Sequence, residues 1–125
     1  MMRLPDVLEI HQTLIRVFGG APGVRDEGLL RSALERPFAG FGDSAFYPTP
    51  AEKAAALVES IVKNHPFMDG NKRTGYVLMR LLLLQAGQDL AATQDEKYDF
   101  VIGIASGQTD FPEIVAWIKK HLAQS

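Results

Sequence analysis

Apolar residues recur along this chain at helical spacing, and the recurrence breaks in one place. Val7, Ile10, Leu14, Val17 and Phe18 stand three or four positions apart, or adjoin, as on one face of an α-helix. Asp6-Val7-Leu8-Glu9 reads as a capping box opening this helix, with Asp6 as N-cap and Glu9 at the third helical position. Gly19-Gly20 ends it. Asp26 is placed to cap a second, short helix carrying Leu29, Leu30, Ala33 and Leu34, which Pro37 closes. Ala51 to Asn64 repeats the pattern through Ala54, Leu57, Val58, Ile61 and Val62. Pro66 disfavours helical geometry at His65, so the helix ends there. His65 stands four after Ile61 and continues the stripe, which predicts an imidazole pointing inward.

Thr74 to Ala86 is apolar on nearly every face through Val77, Leu78, Met79 and Leu81 to Leu84, the pattern of a central helix. Gly87 stops it. Thr93-Gln94-Asp95-Glu96 is a capping box for a helix with Phe100, Val101, Ile104 and Ala105. Asp110-Phe111-Pro112-Glu113 opens a last helix with Ile114, Val115, Trp117, Ile118 and Leu122. The pattern predicts an all-α class, a helical bundle around the 74–86 helix.

Residues 37 to 50 interrupt the periodicity with three prolines, two glycines and Phe38, Phe41, Phe46 and Tyr47. Gly42-Asp43 is a turn signal between two short extended arms. The segment reads either as an ordinary connecting loop with buried aromatic anchors or as a flap, a β-hairpin bordering a groove. Such a flap can pair with an extended peptide by strand addition.

A chain of 125 residues fits a single domain over residues 1–125 and can bury roughly two-thirds of its unfolded surface without metal or disulfide staples. Cysteine is absent, which excludes thiolate metal sites and suits a reducing compartment. A net charge of −2 supplies no pull toward nucleic acid or anionic membrane. The N-terminus carries no signal-peptide core, and runs such as Leu81 to Leu84 fall far short of the ~20 residues of a membrane span. The expectation is a soluble cytoplasmic protein that binds neither nucleic acid nor membrane directly.

The chemistry concentrates in His65-Pro66-Phe67-Met68-Asp69-Gly70-Asn71-Lys72-Arg73-Thr74. Asp69-Gly70-Asn71 is strong turn chemistry, and Lys72, Arg73 and Thr74 open the central helix. The first N–H groups of a helix lack internal partners and, with the helix dipole, form an anion site. Gly70 lets a ligand oxygen approach the backbone without meeting a Cβ. Two cations at a helix N-terminus are unfavourable by up to ~1 kcal/mol each, a conflict that an anion such as phosphate removes. Asp69 adds a hard oxygen ligand for Mg²⁺, which usually takes one or two carboxylates and completes its shell with water and phosphate oxygens. Viewed alone, Asp69 reads equally as a turn aspartate accepting local N–H bonds. His65 supplies a base whose unperturbed pKa of about 6.5 suits proton abstraction from a hydroxyl. Phe67 reads as the buried anchor of the turn. Met68 faces either solvent or the pocket. His11 and His121 have no such company and read as surface or filler residues. Two rival motifs fail. His65 and Asp69 have the spacing of a helical metal pair, but Pro66 removes the helix. Gly70 to Thr74 looks like the end of a P-loop, but that loop needs a glycine where His65 stands.

These residues resemble the signature of the Fic/Doc (Fido) superfamily, His-x-Phe-x-Asp/Asn-Gly-Asn-Gly/Lys-Arg, and in particular its Doc (death-on-curing) branch. His65, Phe67, Asp69, Gly70, Asn71, Lys72 and Arg73 meet every fixed position. The similarity extends through Phe18 to Asp26, Ser32 to Pro37, and the tail from Ile104 to Trp117. It implies the compact α-helical Fido fold.

Lys72 is the discriminating position. Fic adenylyltransferases carry glycine there; Doc proteins carry lysine, and ATP then binds in a reversed sense with transfer of its γ-phosphoryl. The resemblance implies a protein kinase of unusual fold that uses ATP and Mg²⁺, with a threonine of elongation factor Tu as the family target and arrest of translation as the outcome. It implies His65 as the base and Asp69 as the Mg²⁺ ligand. Gly70, Asn71, Lys72, Arg73 and Thr74 are implied as phosphate or nucleotide contacts, and Lys63 as a weaker one. The late second arginine of Fic enzymes is replaced by Val77. The inhibitory Ser/Thr-x-x-x-Glu-Gly/Asn helix of many Fic proteins is incomplete, because Ile114 follows Thr109 and Glu113. The resemblance therefore implies a separate Phd-like antitoxin chain whose partly disordered segment folds onto the groove near the flap. Alternatives are protein adenylyl transfer and a non-catalytic Fido module that binds nucleotide or a partner.

Overall fold

A computed structural model describes residues 2–123. The chain forms α1 (Leu4–Phe18), α2 (Glu27–Glu35), a 3₁₀ turn (Arg36–Phe38), β1 (Gly40–Phe41), β2 (Ser44–Ala45), α3 (Pro50–Asn64), α4 (Asn71–Gln85), α5 (Gln94–Ala105) and α6 (Phe111–Lys120). Among the described residues the fold is all-α with one small antiparallel hairpin, as the pattern predicts. None of these helices is long and apolar enough to cross a membrane.

Side-chain caps set most of the boundaries. Asp26 accepts from the Leu29 N–H, and Thr49 from the Glu52 N–H. Thr93 with Glu96, and Asp110 with Glu113, form complete capping boxes. The expected cap at Asp6 is not the one used. Helix α1 begins at Leu4 with Arg3 at the N-cap, Pro5 in the first turn and Asp6 already inside. Proline is pre-organised for the first helical turn and needs no hydrogen-bond acceptor there, so the start moves forward.

Helices α3 and α4 lie against each other at the centre. Helices α2, α5 and α6 also pack on α3, and α1 and α5 on α4. Gly75 sits where the two central helices approach; a Cβ there would lie 3.0 Å from Val62 and 3.3 Å from Ile61. Leu57, Val58, Ile61, Leu78, Met79, Leu83, Ile104, Ile114 and Ile118 fill the core. Helix α4 is less enclosed than its composition suggests. Leu84 is exposed, and Arg80 turns outward to grip Asp89 through two hydrogen bonds of 2.7 and 3.0 Å.

The hairpin pairs Gly40 with Ala45 and Phe41 with Ser44 around Gly42-Asp43. Of its aromatics only Tyr47 is an anchor of the kind an ordinary loop reading predicts, half-buried against Phe111 and accepting from Arg36 Nε at 3.0 Å. Phe41 and Phe46 are exposed, and Phe38 is more than a third exposed, beneath Lys53. A two-residue arm has too little length to fold its side chains back onto the bundle.

His121 is likewise no filler. Its ring stacks on Trp117, its Nδ1 meets the Trp117 carbonyl at 2.8 Å, and its Nε2 meets Glu96 at 3.0 Å. Glu96 accepts from the Thr93 N–H as well as from this ring, which holds its carboxyl down at about 2. Arg80 and the Leu90 N–H do the same for Asp89, also at about 2. Both carboxyls ionise more readily in the folded than in the unfolded chain. Their stabilisation is therefore complete above the ordinary values of 3.8 and 4.5 and disappears as pH falls toward about 2. Melting temperature should fall over that window, and Asp89→Asn should flatten the fall.

Candidate active site

The loop from His65 to Gly70 joins the two central helices, and four sets of contacts fix it. Helix α3 ends at Asn64, with His65 as C-cap in the left-handed region (φ 49°, ψ 58°). It is the one non-glycine with positive φ among the described residues, a geometry a side chain holds only against strain. Arg25 secures it, donating from Nε to the His65 carbonyl and from Nη2 to the Asn64 carbonyl, each at 2.6 Å. The Pro66 carbonyl accepts from the N–H groups of Arg25 and Asp26, and the Met68 N–H donates to Gly23. Phe67 is fully buried and bridges to Val24. The Asn71 side chain clamps Phe67 at both backbone groups: Oδ1 accepts from its N–H at 3.0 Å and Nδ2 donates to its carbonyl at 3.1 Å.

The left-handed turn at His65 has a consequence that the stripe of α3 hides. The ring leaves the buried face of the helix, so His65 is exposed rather than inward-pointing. It stands on the wall of an open cavity of about 680 Å³ between α1, the loop, the start of α4, and α5. Met68 is both solvent-facing and on that wall.

Asp69, Gly70, Asn71, Lys72 and Arg73 line the same cavity. Gly70 is the N-cap of α4 in the left-handed region, and no side chain caps this helix, unlike α2, α3, α5 and α6. The first amides of α4 therefore face the cavity end without an internal acceptor, the arrangement that attracts anions. Lys97 joins Lys72 and Arg73 on the wall, three cations against the single carboxylate of Asp69. The Arg73 guanidinium lies 4.0 Å from the centroid of the Phe18 ring.

The Asp69 carboxylate accepts from the Ala21 N–H at 3.1 Å and the Gly70 N–H at 2.8 Å. These two donors, the first foremost, hold its pKa below the ordinary carboxylate value. Asp69 thus makes the local turn bonds and keeps a carboxylate on the cavity wall whose ionised form those bonds favour. Gly20 leaves room for it. A Cβ there would lie 2.9 Å from Asp69 Oδ2, and φ is +118°. Gly20→Ala should destabilise the fold by about 1–3 kcal/mol in urea titration, as strained backbone positions do, and should push Asp69 off the Ala21 amide. Gly19→Ala, at φ +88° with open space around the position, should cost less.

Not every residue singled out in the sequence arrives here. The Asn71 amide is engaged by Phe67, which leaves its backbone N–H as the group facing the cavity end. Thr74 is fully buried, with a hydroxyl that has no hydrogen-bond partner, and it does not line the cavity. The fourth position of a helix faces sideways into the packing, not along the axis. Lys63 is also absent from the cavity, one turn from Glu59 and paired with it at 3.7 Å. No residue of the hairpin lines the cavity, and neither do Thr109 or Glu113. Conversely, Tyr76, Gln94, Lys97 and Tyr98 form the far wall, although no spacing in the sequence marks them. His11, read above as filler, is buried beneath the loop.

Residues 2–83 match the Fic/DOC family. The chain belongs to that family. It is 40% identical over 101 residues to a protein named Toxin Doc from Mycolicibacterium smegmatis, covering 79% of this chain and 78% of that one. It is also 32% identical over 101 residues to proteins named Protein adenylyltransferase Fic from Drosophila ananassae and Drosophila melanogaster. Those matches cover 67% of this chain but only 20% of the fly proteins. The matched residues include the loop and helix start described above, His65 to Arg73.

Proposed function

We propose that this protein is a Doc-type phosphotransferase, moving the γ-phosphoryl of Mg-ATP to a hydroxyl of a protein target. The observation that carries the reading is the uncapped start of α4, with Lys72 and Arg73 beside an ionised Asp69 and with His65 on the wall of the same cavity. A cationic, water-accessible helix N-terminus suits the terminal phosphates of a nucleotide. Asp69 suits Mg²⁺: it is ionised, exposed to the cavity and next to the anion site. The described residues hold no cluster of three or more metal-binding side chains, so phosphate and water oxygens would complete the shell, as Mg²⁺ prefers. When bound, the ion would neutralise phosphate charge.

In this reading His65 takes the proton of the attacking hydroxyl as its oxygen bonds to the γ-phosphorus and the bond to the ADP oxygen breaks. Lys72, Arg73 and the first amides of α4 stabilise the charge on the transferred group, which is the larger part of catalysis in phosphoryl transfer. Lys72 lines the cavity at the position where the resemblance places lysine in Doc proteins and glycine in Fic adenylyltransferases, which supports this reaction over nucleotidyl transfer. Elongation factor Tu is the proposed target, at a threonine, with inhibition of translation as the result. A separate antitoxin chain is the proposed inhibitor; in support, Glu113 is engaged with the Asp110 amide at the start of α6 and does not line the cavity. The Drosophila relatives named adenylyltransferases supply the second reading, transfer of the adenylyl group. Parallel incubations with ATP labelled at the γ- or the α-phosphate separate the two. Label should reach protein from the γ position only; label from the α position would establish the second reading.

A further inference from the structure

His11 projects from the middle of α1 and is 3% exposed. Its ring lies flat on Phe67, centroids 3.9 Å apart and planes 8° from parallel. Its Nε2 lies 2.9 Å from the backbone carbonyl of Asp69. A carbonyl oxygen only accepts, so Nε2 carries the proton and donates it. This bond joins the first helix to the peptide unit 58 residues later that sits between the metal-ligand candidate and the cap of α4.

Among the described residues the carbonyl of that peptide unit has no other hydrogen-bond partner. Its N–H, on Gly70, is held by the Asp69 side chain itself at 2.8 Å, and the Ala21 N–H holds the other oxygen of that carboxylate at 3.1 Å. Gly70 has φ +72°, and glycine visits either sign of φ at small cost, so the backbone on the far side does not resist a flip. On the carbonyl side the fixed point is the His11 bond. Ile15, one turn along α1, closes the space beneath, its Cδ1 3.2 Å from where a Gly70 Cβ would stand.

We infer that His11 is a positioning residue for the transfer reaction, locking the Asp69–Gly70 peptide so that the Asp69 carboxylate and the first amides of α4 address one cavity. The inference rests on the phosphotransfer reading above. Neither partner could be replaced by simple packing: an apolar ring at position 11 keeps the stack on Phe67 but leaves the Asp69 carbonyl without a donor.

The test compares His11→Phe, which keeps the stack, with His11→Gln, whose amide nitrogen can stand in for Nε2. Two readouts are followed beside the melting temperature: the Gly70 amide resonance in the free protein, and calorimetric affinity for Mg-AMP-PNP. With His11→Phe folded, the Gly70 resonance should shift and broaden, and affinity should fall about tenfold, as expected when a buried acceptor loses its donor. His11→Gln should return both to within about threefold of the original affinity, on the same hydrogen-bond argument. Should His11→Phe fail to fold, His11→Met against His11→Gln reads the same contrast. A folded donor-less variant with an unmoved Gly70 resonance and unchanged affinity overturns the inference. If the unaltered protein itself does not bind Mg-AMP-PNP, the phosphotransfer reading fails and takes the catalytic part of the inference with it. The Gly70 resonance then still decides whether His11 holds the turn.

Discussion

His65→Ala is expected to lower the rate of phosphoryl transfer by about 10²–10⁴-fold, the contribution of a positioned general base. Little else should change. The ring is exposed, so its loss leaves no core cavity, and the melting temperature should stay close to that of the parent. The proposed phosphate contacts are the α4 amides, Lys72 and Arg73, not His65, so Mg-ATP affinity should hold. A loss in kcat with KM for ATP unchanged identifies an interaction made in the transition state. A parallel loss of nucleotide affinity would instead assign His65 to binding. Small left-handed substitutes refine the test. His65→Asn tolerates the positive φ of this position but supplies no base, so it should be as inactive as the alanine variant while disturbing the loop less.

Phe67→Ala should produce the largest loss of stability in this region, about 3–5 kcal/mol for a buried phenylalanine. That is a large part of the roughly 5–15 kcal/mol available to a domain. Phe67 is fully buried, carries the flat stack with His11, and has both backbone groups clamped by Asn71. Its removal empties the space on which the His65–Gly70 loop rests. Urea titration should show the midpoint fall with the slope unchanged. Activity should fall below what the loss of folded protein explains, because the loop that survives no longer aligns His65 with Asp69. A Phe67→Leu variant keeps most of the volume and should recover much of the stability. It lacks the flat face that His11 stacks on, so its activity should recover less.

Local chemistry was readable where its partners lie within a few residues. The caps at Asp26, Thr93 and Asp110 involve donors three positions on, and Pro66 ends α3 through its immediate neighbour. The same locality made the His65–Arg73 segment legible as a cationic helix start beside a carboxylate. What stayed hidden depends on distant contacts. The role of His11 lies in a bond to Asp69, 58 residues away, and the support of His65 lies in Arg25, 40 residues before it. Tyr98 and Lys97 reach the cavity only because α5 packs across α4. The orientation of His65 is hidden for a different reason. Helical periodicity ends one residue before it, at Asn64, and the left-handed cap sends that side chain to another face. Position along the chain does not show the rotation of the helix, which turns its fourth residue, Thr74, into the core.

Intact-mass measurement of elongation factor Tu, after incubation with this protein and Mg-ATP in a preparation free of any antitoxin, puts the central claim at most direct risk. A Doc-type phosphotransferase should add one phosphoryl group, and His65→Ala should abolish the gain. An unchanged mass, or a gain the size of a nucleotidyl group, would contradict the claim.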